Sequence, residues 1–295
     1  MYISTEINSF RAYGDDKQVV KLLKDAGFTA YDFSMFGKGW LQPNELLASD
    51  DYLEKAKELR AYADGIGLPC NQAHAPFPTC LDEDYALDRG IDATAYNAQS
   101  REQITRAIEV AGVLGAKIIV VHPWNYYTPE QNAALYKSFE QTARKAGVKI
   151  ALENMWNWES GEPTACAAAC SHHDDFKAHM ELLDSDVFVA CLDIGHAEMA
   201  GLDTSAVQMI ETLGAHLQAL HIHDNDCAHD SHGLPYTMDI RFEPILAALK
   251  KIGYRGDITM EADRYARRFP VELYPHAARL MAEIGKYMRD KILEK

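Results

Sequence analysis

Short apolar, β-branched runs alternate along this chain with longer stretches whose apolar residues recur at helical spacing. Ile104, Ile108 and Ala111 fall on one face of the stretch from Ser100 to Val113, with charged residues on the other face, and 244–252 has the same pattern. Counting the runs gives eight strand-helix pairs. The predicted strands lie near 2–7, 29–33, 68–74, 117–122, 148–153, 187–193, 217–223 and 256–261.

Glycines precede several of these strands, where the helix before could end. They are Gly27, Gly67, Gly115, Gly147 and Gly253. Alternation of this kind predicts an α/β fold, a (β/α)8 TIM barrel. No composition break divides the sequence, so we expect a single domain over residues 1–295.

Ionisable side chains end four of the predicted strands: Glu153, Asp193, His223 and Glu261, separated by 40, 30 and 38 residues. These gaps match one strand-helix unit each, and the chemistry of such barrels lies at the carboxyl ends of the strands. A charged group at the end of a buried strand is costly to desolvate unless something pairs with it. Four in the same relative position therefore predict one shared cation, although each taken alone could be structural.

The predicted ligands are three carboxylates and one imidazole, a mostly oxygen set. Such a set suits Mn²⁺ best, with Mg²⁺, Co²⁺ or Zn²⁺ as alternatives. Two open positions on an octahedral ion could take adjacent oxygens of a polyol, and the ion would acidify the C–H beside a carbonyl. His221 lies two residues before His223, on the same side of the strand, and is the second choice for the ligand.

Long loops at 34–48, 75–89, 155–168 and 225–240 follow predicted strand ends, and loops at this position line the active face of a barrel. Aromatic residues lie in or beside them: Phe33, Trp40, Phe77, Trp124, Trp156 and Trp158. Wall packing explains most of them, but aromatic rings also cover the apolar faces of sugars. We expect Trp124 and Trp156 to line the substrate site.

The overall charge excludes some partners. The formal net charge is -15, which disfavours nucleic acid because phosphate-binding proteins normally present a basic surface.

No apolar run approaches the ~18 residues of a membrane span. The first residues lack a basic region followed by an apolar stretch, so we expect no secretory signal, and six scattered cysteines favour a cytoplasmic location.

The strand-end motifs resemble those of the xylose-isomerase-like barrels, the sugar and sugar-phosphate isomerases and epimerases that include the D-tagatose 3-epimerase group. The matching stretches are Ala151-Leu152-Glu153-Asn154, Leu192-Asp193-Ile194-Gly195-His196, His221-Ile222-His223-Asp224-Asn225-Asp226 and Thr259-Met260-Glu261. Each is weak alone, but four in order at this spacing are fairly specific, and the strand-helix repeat extends the likeness to nearly the whole chain.

The resemblance implies an isomerase or epimerase that moves a proton beside a carbonyl through a metal-bound enediolate. It implies that Glu153, Asp193, His223 and Glu261 bind the metal and that Glu153 and Glu261 form the acid/base pair. His196 matches the family histidine that contacts a substrate hydroxyl. The implied partner is a sugar or polyol, free or phosphorylated, and a homo-oligomer is a mild family expectation.

Two further histidines, His74 and His122, end predicted strands on the same face. They are candidate substrate contacts or pocket histidines bonded to the main chain. They also match positions where the related apurinic endonuclease family has extra zinc ligands, so a zinc-dependent apurinic endonuclease is a competing hypothesis.

The loop after the seventh strand departs from the epimerase pattern. D-tagatose 3-epimerase-like members have an arginine there, whereas this chain has His229-Asp230-Ser231-His232. We expect Asp230 and His232 to contact the substrate, since they match an Asp-x-His of other members. Dehydration by an inosose-dehydratase-like lyase uses the same first step and stays open. A barrel that binds sugar without turnover predicts lost ligands, and all four are present.

Overall fold

The computed structural model describes residues 1–39 and 41–294, and in this part of the chain eight strands are formed. They are β1 (Ile3–Thr5), β2 (Tyr31–Ser34), β3 (Cys70–His74), β4 (Ile118–Val121), β5 (Lys149–Glu153), β6 (Phe188–Asp193), β7 (Leu217–His221) and β8 (Ile258–Met260). Each strand lies inside or within a residue of its predicted range, so the predicted order of strands is confirmed.

All paired strands run parallel. β2 to β7 form a sheet in sequence order, and β1 pairs with β8. Single parallel bridges, Glu6 with Asp32 and Ile222 with Met260, join the two sheets at both edges. The sheet is therefore closed on itself, and the predicted TIM barrel is confirmed.

Helices follow or flank the strands around the barrel. In the described residues the α-helices are α1 (Asp16–Ala26), α2 (Glu45–Ala48), α3 (Tyr52–Ile66), α4 (Glu83–Asp88), α5 (Ala93–Leu114), α6 (Pro129–Lys137), α7 (Glu140–Ala146), α8 (His173–Leu182), α9 (Ile194–Ala197), α10 (Ala206–Leu213), α11 (Phe242–Lys251), α12 (Asp263–Ala266) and α13 (Tyr274–Leu293). Short 3₁₀ turns lie at Ile7–Tyr13, Gly214–His216 and Val271–Leu273. The predicted loops 34–48 and 75–89 thus contain the short helices α2 and α4.

Local sequence sets where these helices begin and end. The side chain of Asp15 accepts a hydrogen bond from the main-chain N–H of Gln18, and the Gln18 side chain accepts one from Asp15, a reciprocal cap that begins α1. Gly27 ends α1 with φ +100°, a conformation that costs glycine little. Gly67 ends α3 in the same way. The predicted role of these two glycines is confirmed.

Strand alternation points the functional side chains inward. Ile150 and Leu152 of β5 belong to the main core beneath the helices, whereas Ala151 packs with Val120 and Val189 in a separate cluster of strand residues. Successive side chains of a strand face opposite sides, so Glu153 shares the side of Ala151. The same parity places Asp193 on the side of Val189. The apolar core thereby fixes which way these carboxylates face.

A buried carboxylate anchors the loop that carries Asp230 and His232. Asp224 accepts hydrogen bonds from the main-chain N–H groups of Thr237, Met238 and Ile240 at 3.1, 2.9 and 3.0 Å. A carboxylate that accepts several main-chain N–H groups orders the segment around it. The loop is therefore held against the barrel at both of its ends.

Among residues 1–39 and 41–294, no helix combines the length and apolar character needed to cross a bilayer.

Candidate active site

The carboxyl ends of the strands surround a cavity of about 960 Å³. Eight of the residues predicted for the site line it: His122, Trp124, Glu153, Trp156, His196, Asp230, His232 and Glu261. The remaining predicted residues, His74, Asp193 and His223, are buried beside them, each with at most 2% of its surface exposed. The structure thus brings the predicted residues to one mouth of the barrel.

The two predicted acid/base carboxylates share one histidine. Nδ1 of His221 lies 3.0 Å from Oε1 of Glu153 and 3.0 Å from Oε2 of Glu261. Gln72 holds the other side of the ring, with its Nε2 3.0 Å from Nε2 of His221 and 2.9 Å from Oδ2 of Asp32. This contact fixes the position of the imidazole between the carboxylates.

Charge pairing keeps both glutamates ionised. Burial by itself would raise the pKa of Glu153, but the charges and hydrogen bonds of His221 and His122 together outweigh it and hold that pKa well below its usual range. The same opposition between burial and His221 lowers the pKa of Glu261. Burial would lower the pKa of His221, while Cys191 and the two carboxylates raise it well above its usual value. The three side chains form one unit in which a single imidazolium partly compensates two carboxylates.

The other two predicted ligands meet beside this unit. Nε2 of His223 lies 3.2 Å from Oδ1 of Asp193. Asn154 joins the ends of β5 and β6, since its side-chain amide donates to the carbonyl of Asp193 and its side-chain carbonyl accepts from the Asp193 N–H. His196 connects the pairs, because its Nδ1 is 3.9 Å from both Oε1 of Glu153 and Oδ1 of Asp193.

His74 and His122 form a second contact with Glu153. Their Nε2 atoms are 3.0 Å apart and lie 3.5 and 3.1 Å from Oε2 of Glu153. Nδ1 of His74 is 2.9 Å from the carbonyl of Ala75, which leaves its Nε2 directed at the carboxylate. His122 reaches the cavity wall, whereas His74 lies behind it, packed against the ring of Phe36.

Asp230 and His232 form an ion pair at the cavity edge, with Oδ2 and Nε2 3.1 Å apart. Burial would raise the pKa of Asp230, but His232, His196 and His223 together outweigh burial and lower it. In turn Asp230 raises the pKa of His232 well above its usual value, against the effect of burial.

The predicted aromatic lining differs in how firmly it is held. Nε1 of Trp124 donates to Oδ2 of Asp82 at 2.8 Å, and only 6% of this residue is exposed, so it is a fixed part of the wall. Trp156 lines the cavity with its ring centroid 6.5 Å from that of His196. Trp40 lies outside the described residues.

Glu6 also belongs to this mouth, and the sequence analysis missed it. It follows β1 as Glu153 completes β5, is 4% exposed and lines the cavity. Burial, and then the charges of Glu261, Asp263 and Asp32, raise its pKa well above the usual value. Glu6 occupies the strand-end position, but the polar Ser4 and Thr5 precede it in place of an apolar run, and the predicted strand 2–7 continued past it.

The donor atoms fit a divalent cation. Oδ2 of Asp193 and Nε2 of His223 are buried and have no hydrogen-bond partner, and Oε2 of Glu153 has only its contacts with the imidazoles of His74 and His122. Buried polar atoms are nearly always satisfied, so these incompletely satisfied atoms on three of the four predicted ligands point to a bound ion. The residues Glu153, Asp193, His223 and Glu261 are therefore suited to hold one.

Comparison with known families agrees with the fold. A family model described as the xylose isomerase-like TIM barrel matches residues 20–284. The chain belongs to this family. The resemblance stated from the strand-end motifs is thus confirmed at the level of the family.

Two curated relatives of this xylose isomerase-like barrel carry no assigned function in their names. An uncharacterized protein of Methanocaldococcus jannaschii is 31% identical over 169 residues, which are 54% of this chain and 55% of the relative. An uncharacterized protein of Sinorhizobium fredii is 27% identical over 177 residues, 56% of this chain and 53% of the relative. The match thus spans about half the length of each.

Solved structures share the whole fold at low sequence identity. A D-tagatose 3-epimerase-like protein superposes with a TM-score of 0.72 at 21% identity, covering 99% of this chain and 98% of that one. A D-psicose 3-epimerase crystallised in the presence of D-fructose gives 0.72 at 15%, covering 98% and 99%. The 3-keto-D-glucoside 4-epimerase of E. coli gives 0.69 at 17%, covering 96% and 99%.

Substituting Gly195 tests how tightly the ring of His223 is packed. A Cβ at this position would overlap the ring of His223. We predict that Gly195→Ala lowers the free energy of unfolding by about 1–3 kcal/mol, because either the ring or the α9 backbone must move. Urea unfolding measures the change.

Gly65→Ala in α3 is the matched control, because a Cβ there meets nothing within 4 Å. It should raise the free energy of unfolding by ~0.4–1 kcal/mol, because alanine restricts the conformations open to the unfolded chain. Equal effects at the two positions would show that the space beside His223 is not limiting.

Proposed function

We propose that this chain is a divalent-metal-dependent sugar isomerase or epimerase, with Glu153 and Glu261 as its acid/base pair. One observation carries the proposal. Two ionised carboxylates, each 3.0 Å from the same imidazole nitrogen, line a cavity of about 960 Å³. That volume lies within the usual range for a small-molecule site.

The two glutamates have complementary tasks in this reaction. One removes a proton from the carbon beside the substrate carbonyl, and the other returns a proton to the substrate. Both carboxylates start ionised, so the returned proton must come from a third group. Nδ1 of His221 lies 3.0 Å from an oxygen of each glutamate, so it can pass its proton to the carboxylate that returns it and take the abstracted proton from the other. The imidazole thus keeps the pair balanced as the proton moves.

Glu153, Asp193, His223 and Glu261 are the residues we propose for the cation, with Mn²⁺ as the expected ion. When bound, the cation would polarise the carbonyl and acidify the adjacent C–H, which compensates for the weak basicity of a carboxylate of low pKa. The mostly oxygen donor set supports a hard ion.

The remaining cavity residues are proposed to position the sugar. His196, His122, Asp230 and His232 offer polar atoms at the cavity, and Trp124 and Trp156 offer apolar faces. Their mixture of ring faces and polar groups suits a polyol, which presents both C–H faces and hydroxyls. The three structural neighbours described above are named as epimerases or epimerase-like proteins, which supports the sugar class.

The proposed function can be tested by measuring how much deuterium from the solvent enters the substrate. Purified protein with Mn²⁺ is incubated in D₂O with D-tagatose, D-psicose, D-fructose and inososes, and deuterium beside the carbonyl is measured by NMR. We predict incorporation by the wild type and a loss of about 10²–10⁴-fold in Glu153→Gln and Glu261→Gln, because each amide can neither accept nor return the proton. Product identity separates epimerisation from dehydration, in which a β-hydroxyl leaves.

Glu159→Gln is the matched control, since Glu159 is an exposed carboxylate in the loop after β5. It should exchange at the wild-type rate. Undiminished exchange in Glu153→Gln or Glu261→Gln would overturn the assignment of the pair, and an inactive wild type on every ketose and inosose would overturn the substrate class.

A second candidate function is a zinc-dependent apurinic endonuclease. The observation that favours it is the contact of His74 and His122 with the buried Oε2 of Glu153, which adds two imidazoles as possible metal ligands beside the cavity. The net charge of -15 weighs against a DNA substrate, because the phosphate backbone is normally met by a basic surface.

Nicking of abasic DNA separates the two functions. With Zn²⁺ or Mn²⁺ added, we predict that the wild type leaves an end-labelled duplex containing one abasic site intact, measured on a denaturing gel. An intact undamaged duplex serves as the substrate control. Nicking that disappears in His122→Ala would favour the endonuclease.

A further inference from the structure

Two polar side chains lie on a wall of the cavity that the proposed acid/base pair and cation do not occupy. Glu6 follows β1, and Ser34 ends β2. In the closed barrel these strands lie four places from β5 and β6, which end in Glu153 and Asp193. Strands four places apart in an eight-stranded barrel face each other across its axis. A sugar bound at Glu153 and Asp193 would therefore extend toward Glu6 and Ser34.

Strand alternation directs both side chains into the barrel. Ile3 of β1 and Phe33 of β2 belong to the core beneath the helices. Neighbouring positions of a strand face opposite sides, so Ser4, Glu6 and Ser34 face the interior. Glu6 and Ser34 both line the cavity.

These two side chains are buried without a full set of hydrogen bonds. Glu6 is 4% exposed and Ser34 is 3% exposed. Among the described residues, Oε2 of Glu6 and Oγ of Ser34 have no hydrogen-bond partner. Oε1 of Glu6 accepts one long hydrogen bond, from Oγ of Ser9 at 3.4 Å. Since buried polar groups are nearly always satisfied, two such atoms in one cavity wall indicate a partner from outside the chain.

The charges around Glu6 restrict what that partner can be. Burial raises the pKa of Glu6, and the nearby carboxylates of Glu261, Asp263 and Asp32 raise it further. A phosphate or carboxylate brought to this wall would be repelled by the same carboxylates. A neutral hydroxyl meets no such cost, because it can donate to an oxygen of Glu6 and accept from the hydroxyl of Ser34.

Arginines at the cavity rim do not reverse this preference. Arg11 pairs with Asp16, and Nη2 of Arg267 lies 2.8 Å from Oδ2 of Asp263. The side chains of Arg11 and Arg267 are 42% and 51% exposed, so water and salt screen their charges. Each guanidinium already has a carboxylate partner and adds little net positive charge to the buried wall.

We propose that Glu6 and Ser34 form a hydroxyl-binding subsite for the end of the sugar remote from its carbonyl. The subsite selects a free hydroxyl over a phosphate at that end. It rests on the proposed function, because the acid/base pair fixes which end of the sugar reaches the opposite wall. Glu6 and Ser34 hold the substrate and take no part in moving the proton.

The experiment measures binding before any turnover. Full-length protein with Mn²⁺ is mixed with D-psicose, D-tagatose or D-fructose, and with the 6-deoxy and 6-phosphate form of each. Tryptophan fluorescence, read within the first second, reports occupancy because Trp124 and Trp156 line the cavity. We expect the wild type to bind the 6-hydroxyl form about 10-fold more tightly than the 6-deoxy form, the usual effect of one hydrogen bond to a buried polar group. The 6-phosphate should bind more weakly still.

The variants assign this preference to the subsite. Glu6→Ala and Ser34→Ala should each reduce the ratio of the 6-deoxy to the 6-hydroxyl dissociation constant toward one. Glu6→Gln keeps an acceptor without the charge, so it should retain most of the hydroxyl preference and bind the 6-phosphate more tightly than the wild type does. Circular dichroism and thermal unfolding check that each variant is folded.

Glu45→Ala is the matched control, because Glu45 lines the outer rim of the same cavity with its side chain 73% exposed and pairs with Lys38. It should keep the wild-type ratios. Equal wild-type affinity for the 6-hydroxyl and 6-deoxy forms, tighter binding of the 6-phosphate, or no binding of any of the three sugars would overturn the subsite. A hydroxyl preference that Glu6→Ala removes would support it even without deuterium exchange, so its failure and that of the proposed reaction are separate results.

Discussion

Burying acidic groups at the mouth of a barrel is the constraint on which the rest of this structure depends. Glu153, Asp193 and Glu261 lie at the ends of parallel strands with almost no exposure, and each would lose much of its hydration energy there. The structure compensates with imidazoles: His221 lies between the two glutamates and His223 lies against Asp193. The imidazoles compensate the negative charge only in part, since buried atoms such as Oδ2 of Asp193 and Nε2 of His223 have no hydrogen-bond partner. A cation is the natural partner for these atoms.

The barrel makes this arrangement possible because the alternation of side chains along each strand decides which carboxylates point into the cavity. The outward residues of β5 pack under the helices and the inward ones fill the barrel, so Glu153 is directed to the cavity by parity. Asn154 then ties the end of β5 to that of β6, and Asp224 ties down the loop that supplies Asp230. Positions of donor atoms are thereby set by buried hydrogen bonds rather than by exposed loops, which favours a preorganised site.

Much of this was predictable from the sequence, for physical reasons. Strand order and the positions of Glu153, Asp193 and Glu261 follow from apolar runs and their final residue. The choice between His221 and His223 does not, because two residues of separation give both the same parity; β7 ends at His221, and His223 reaches its place only past the strand, over the small Gly195. The meeting of Asp230 and His232 with His196 depends on a loop conformation stabilised by distant groups, which local patterns do not encode.

Glu6 was missed for a different reason: the end of β1 is the polar pair Ser4-Thr5, so no apolar run marks Glu6 as a strand-end residue. The central claim is that the strand-end carboxylates converge on a cation. Anomalous diffraction at the manganese edge, from crystals grown with MnCl₂, tests it most directly. The account predicts a peak in contact with Glu153, Asp193, His223 and Glu261, absent from crystals of Glu153→Gln. A mouth without any peak, with those carboxylates held only by their histidines, would contradict it.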